Sequence, residues 1–102
     1  MFSFQSRQVL LQYLGKPVAV EGMIVDCSID RYNRDFLCLK YPKLEDGTQV
    51  DEHIWIQSSL PKGIALFQKV RFYGKGRLYA GGTKIGLGNI RGYMIGGFPT
   101  GS

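Results

Sequence analysis

The chain contains only two cysteines, Cys27 and Cys38, and one histidine, His53, among its 102 residues. So few thiols and imidazoles can build neither a disulfide framework nor a four-ligand zinc site, and the cysteines read as small apolar thiols in neighbouring strands. No metal is expected. Long apolar runs are also missing: charged residues or glycine interrupt them, far short of the roughly 20 residues needed to cross a bilayer. The opening Met-Phe-Ser-Phe-Gln-Ser-Arg has no basic segment leading into an apolar one, so no secretory signal is expected, and the chain reads as a cytoplasmic protein without a membrane partner.

Acid is absent from the whole second half. All eight Asp and Glu precede residue 53, where they face six Lys and Arg, whereas residues 53–102 carry seven basic residues (Lys62, Lys69, Arg71, Lys75, Arg77, Lys84 and Arg91). The formal net charge of +5 therefore belongs to one half of the chain. Segregated positive charge points to a polyanionic partner, because each neutralised phosphate releases counterions.

What is present is one domain's worth of hydrophobic residues, 44% of the chain, arranged mostly with period two. Residues 5–14 form the exception. Val9, Leu10, Tyr13 and Leu14 share one helical face, and Gly15 and Pro17 stop the helix. Alternation then predicts strands from Pro17 to about Cys27, from Asp35 to Tyr41 with Pro42 as its end, and from Val50 to Gln57. Two more run from Lys69 to Tyr79 and from Lys84 to Ile95. Residues 28–34 and 80–83 are turn-forming, and 58–67 contain enough for one helical turn. The expected organisation is a helical segment over 1–16, a barrel over 17–95 and a loose tail over 96–102.

Helix, three strands, a helical connection and two strands, with Gly22, Gly74, Gly76, Gly86 and Gly88 inside strands, is an order that resembles the OB fold. Gly22 midway along the first strand and the Lys62–Gly74 run leading into the fourth add to the likeness. SH3-like barrels share the short strands but lack a helical turn at this position. The resemblance implies an all-β, five-stranded Greek-key barrel with a short N-terminal helix and a helical turn between strands three and four. It also implies single-stranded nucleic-acid binding.

Sorting each strand by face locates the candidate site. In the fourth strand Val70, Phe72, Gly74, Gly76 and Leu78 point one way, while Arg71, Tyr73, Lys75, Arg77 and Tyr79 point the other. Three cations interleaved with two aromatics suit unpaired nucleotides: the cations meet phosphates and the rings stack on bases for about 1–3 kcal/mol each. In the second and third strands Leu37, Leu39, Ile54 and Ile56 face the core, leaving Phe36, Cys38, Lys40 and Trp55 outside. The loop between the first two strands adds Arg31, Tyr32 and Arg34, and the last hairpin adds Lys84. In OB domains those two loops flank one groove.

Catalysis is not expected. Asp51 and His53 share a strand face while Glu52 points away, leaving no evident third ligand. Gly74-Lys75-Gly76 and Gly81-Gly82-Thr83-Lys84 lie in or between strands instead of opening a helix, so neither is a phosphate loop. The expected partner is single-stranded nucleic acid, DNA favoured over RNA, bound with little sequence preference and without a cofactor. A second copy of the chain, or a replication or recombination protein, is a further expected partner. The alternative is an assembly module that buries Trp55 and Phe36 against another protein.

Overall fold

The computed structural model describes residues 2–98, with side chains from Arg7 onward. Helix α1 (Phe2–Leu11) precedes strands β1 (Pro17–Ile29), β2 (Asp35–Leu44), β3 (Ile54–Ile56), β4 (Lys69–Tyr79) and β5 (Lys84–Ile95). The strands close into a barrel in the order β1-β2-β3-β5-β4, an all-β Greek-key architecture of the OB type. Every pairing is antiparallel except β3 with β5, which is parallel.

The period-two pattern explains the core, because each strand sends alternate residues inward. Val20 and Ile24 come from β1, Leu37 and Leu39 from β2, Ile54 and Ile56 from β3, Val70 and Phe72 from β4, and Ile85 and Leu87 from β5. Leu10 of α1 joins the same cluster, with Val9 and Leu11 packed against it. The helix ends earlier than its apolar pattern. The following turn is pinned to β4, where the Gly15 N–H donates to the Gly76 carbonyl at 2.9 Å and the Gly76 N–H donates to the Lys16 carbonyl at 3.2 Å. A Cβ on Gly76 would run into the Tyr13 carbonyl, so only glycine lets this turn approach the strand.

Other elements also differ from the expectations, and β1 runs past Cys27 to Ile29. Pro42 does not end β2, which continues to Leu44. Two residues, Tyr41 and Pro42, stand opposite Gly22 at a register shift, where a residue without an N–H takes nothing from the ladder. The third strand is only Ile54–Ile56, because Val50 turns back and donates its N–H to the Pro42 carbonyl at 2.9 Å. The connection after β3 contains turns, one of them closed by the Ile64 N–H on the Pro61 carbonyl, and no helix. The short helical turn of the barrel is instead a 3₁₀ turn at Ala80–Gly82, between β4 and β5.

The start of the C-terminal segment packs on the barrel. The Gly96 N–H donates to the Lys69 carbonyl at 2.8 Å, and Phe98 is buried. The remainder of the expected tail, 99–102, lies outside the described residues. Among the described residues no helix is long and apolar enough to cross a membrane.

Candidate nucleic-acid interface

The turn after β1 is built by one carboxylate. Asp30 accepts the backbone N–H groups of Tyr32 and Arg34 on Oδ1, each at 2.9 Å, and Oδ2 takes the Arg34 Nε–H at 2.8 Å. Asn33 supplies the left-handed residue that such a turn tolerates, at φ 62°. Desolvation pushes the Asp30 carboxyl upward, but the bonds from Arg34 and Tyr32 outweigh it and hold the group below its ordinary 3.8. The turn presents Tyr32, 65% exposed, with two guanidinium groups close to its ring: Arg31 is 5.1 Å and Arg34 5.3 Å from its centre.

Across the barrel mouth, Lys84 at the start of β5 sets its Nζ 4.2 Å from the centre of the Trp55 ring. Trp55 stands on β3 opposite Cys38 of β2 on one side and Gly86 of β5 on the other. A Cβ on Gly86 would collide with the Trp55 backbone, so the glycine is what allows β3 to pair at this point. The described apolar residues of α1 go to the core, and Trp55 lines an open groove.

Arg31, Tyr32, Arg34, Phe36, Trp55, Tyr79 and Lys84 all border that groove, which encloses about 600 Å³. Its one acidic lining residue, Asp30, is already engaged by Arg34 at 2.8 Å, so the surplus charge is positive. No family model matches the chain, and neither a curated protein nor a solved structure is similar enough to count as a match. The functional reading therefore rests on the residues of this groove.

Phe36 and Tyr79 belong to the groove in a different way from the one their alternation implies. Both face outward, yet both are buried, at 7% and 6% exposure. They pack edge to face at 4.9 Å and form the groove floor. The Tyr79 hydroxyl donates to the Leu87 carbonyl at 2.7 Å and lies 3.2 Å from the Gln57 side-chain oxygen. Burial pushes its ionisation up to about 12, against the opposing fields of Arg77 and Arg34. Neither ring is a free stacking platform. Leu78, expected inside, is 36% exposed: the pairing of β4 with β1 ends at Lys75, so at Leu78 the strand pairs only with β5.

The other expected residues are dispersed. Lys40 sits over Tyr41, 5.1 Å from its ring, and does not border the groove. Arg71 donates from Nη2 to Met94 Sδ at 3.2 Å, and its guanidinium lies 5.4 Å from the Phe98 ring. The Tyr73 hydroxyl reaches the same sulfur at 3.8 Å. Lys75 and Arg77 border a separate concavity on the far side of Tyr79.

Five lining residues escaped sequence reasoning: Asp30, the organiser of the turn, and Ser28, Ile29, Ala80 and Gly81 of the groove wall. Asp30 left a readable signal, since an aspartate opening Asp-Arg-Tyr-Asn-Arg is a side-chain-capped turn signature. Among the described residues, no three His, Cys, Asp or Glu side chains stand close enough together to hold a metal ion. Glu52, beside His53, is instead tied to Arg7 at 3.3 Å.

Proposed function

We propose that the groove binds single-stranded nucleic acid, DNA in preference to RNA, without chemistry on it and with little sequence preference. One observation carries this reading: an exposed ring, Tyr32, and a half-buried one, Trp55, border the same groove, each with a side-chain cation over its face. Rings of that kind stack on unpaired bases, which duplex DNA keeps stacked on each other, while Arg31 and Lys84, which no carboxylate engages among the described residues, take phosphates. The positive half of the sequence supports the same partner. Phe36 lies in the floor, so the apolar pair that an assembly module would offer is reduced to Trp55.

The test is fluorescence polarisation with labelled single-stranded DNA, single-stranded RNA and duplex of one length, at about 50 and 200 mM salt. Single strands should bind more tightly than duplex, and affinity should fall steeply with salt. Equal affinity for duplex would remove the role given to the rings, and salt-independent binding would remove the role given to the cations.

A further inference from the structure

Past Tyr79, the outer surface of β4 continues to Arg77 and Lys75. These two cations border a second concavity of about 340 Å³, lined also by Leu14, Gly15, Gly76, Leu78, Gly88 and Asn89. No acidic residue lines it, and neither cation pairs with a carboxylate among the described residues. Arg77 links it to the groove, because its guanidinium lies 5.9 Å from the ring centre of Tyr79, which is part of the groove floor.

The surface between the two concavities is kept low by a glycine. A Cβ on Gly88 would come within 2.9 Å of both the Arg77 Cδ and the Tyr79 hydroxyl. Lys75 and Arg77 are alternate residues of one strand, so their Cα atoms stand about 6.8 Å apart. That is on the scale of one nucleotide step along an extended strand. The cation at the other end of the β4 strip is not equivalent, since Arg71 is held by Met94 and Phe98.

We propose that a single strand lying in the groove continues past Tyr79 and across Gly88 into this second concavity, with successive phosphates on Arg77 and Lys75. The inference rests on the reading of the groove given above. It assigns to the protein a longer occluded site than the groove provides and a direction of exit for the strand. The cation strip of β4 is thereby divided: Lys75 and Arg77 belong to the path and Arg71 does not.

Oligothymidylates of about 4 and about 12 nucleotides, spanning the range of single OB sites, separate the two segments. Both are titrated by Trp55 fluorescence into the wild-type protein, Lys75→Ala and the double variant Lys75→Ala/Arg77→Ala, with circular dichroism to confirm the fold. Lys75→Ala leaves the Arg77–Tyr79 contact intact, so its effect is not one of packing. For the long oligonucleotide the salt slope should drop by about 0.7 in the single variant and about 1.4 in the double, at 0.7 per phosphate contact. The affinity of the double variant for the long oligonucleotide should approach that for the short one, whose own binding should stay within about twofold of wild type. Equal losses on both lengths, or an unchanged slope for the long one, would overturn the extended path while leaving the groove in place. Absence of Trp55 quenching by either oligonucleotide with the wild-type protein would overturn the groove reading itself, and the path with it.

Discussion

The ammonium of Lys84 stands 4.2 Å from the centre of the Trp55 ring, so one side chain of β5 covers the half-buried aromatic of β3. A base stacking on that ring must displace the ammonium or share the ring edge with it, and the displaced cation is then free for the adjoining phosphate. Trp55→Ala should cost about 1–3 kcal/mol of oligonucleotide binding. Lys84→Gln should instead reduce the salt slope by about 0.7 and leave the quenching amplitude at saturation unchanged. Unaltered affinity in Trp55→Ala, with a loss of stability in chemical denaturation, would make Trp55 a packing residue.

Tyr79 offers a pH signature. Its ionisation is pushed up to about 12 by burial, against an ordinary value of 10. A raised folded value means that its contribution to stability is complete below pH 10 and is lost as the pH rises from 10 through 12, because the unfolded chain gives up that proton first. In an ultraviolet titration, Tyr79→Phe should abolish a step centred near 12. The same variant should lose about 1 kcal/mol of stability at neutral pH, since the Leu87 carbonyl is left without its hydroxyl donor. A step that survives the substitution would belong to another tyrosine and would contradict the buried floor.

The two thiols should behave oppositely. Cys27 is exposed and Cys38 buried. Burial, seconded by the negative charge of Asp26, raises the Cys38 ionisation against the opposing field of Lys84 and keeps it in the unreactive thiol form. A thiol reagent should therefore modify one cysteine rapidly and the other only on unfolding, with peptide mapping placing the label on Cys27. Cys38→Ser should cost about 1–3 kcal/mol by burying a hydroxyl among apolar neighbours, whereas Cys27→Ser should stay within about 0.5 kcal/mol. Equal labelling of both would mean that the outer face of β2 opens in solution.

Glycines of similar appearance in the sequence should respond differently to one methyl group. Gly86→Ala drives a Cβ into the Trp55 backbone and should cost about 3 kcal/mol or more in denaturant unfolding. Gly92→Ala meets nothing within 4 Å, so its effect should stay within about 0.5 kcal/mol. Comparable losses at the two positions would show that β3 and β5 are not closely apposed.

Much of this arrangement was legible in the amino-acid sequence, because period-two alternation is a direct record of the two faces of a strand. Leu37 with Leu39, Ile54 with Ile56, and Val70 with Phe72 are inward pairs on that ground alone, and all six are fully buried. The outer faces were harder. Alternation tells which side Phe36 and Tyr79 occupy but not that they would lie edge to face on each other, since this depends on β2 and β4 being brought to one groove by β3 and β5. Arg71 was misplaced for a similar reason. Its partners Met94 and Phe98 are more than 20 residues away, and only the β4–β5 register and the packed C-terminal segment bring them to it. Pro42 broke the predicted strand because a proline usually does so, and the register shift opposite Gly22 that accommodates it leaves no mark on β2 itself.

The brevity of β3 bears on how the barrel opens. Two long antiparallel pairings, β1 with β2 and β4 with β5, are joined on one side by β1 with β4 and on the other only by Ile54–Ile56, with just Trp55 and Ile56 registered against β5. That narrow parallel junction is the seam of the cylinder, where amide protons should exchange before those of the two long antiparallel pairings. Trp55 is part of the seam, so a ligand resting on its ring would also act as a clasp that holds the cylinder shut.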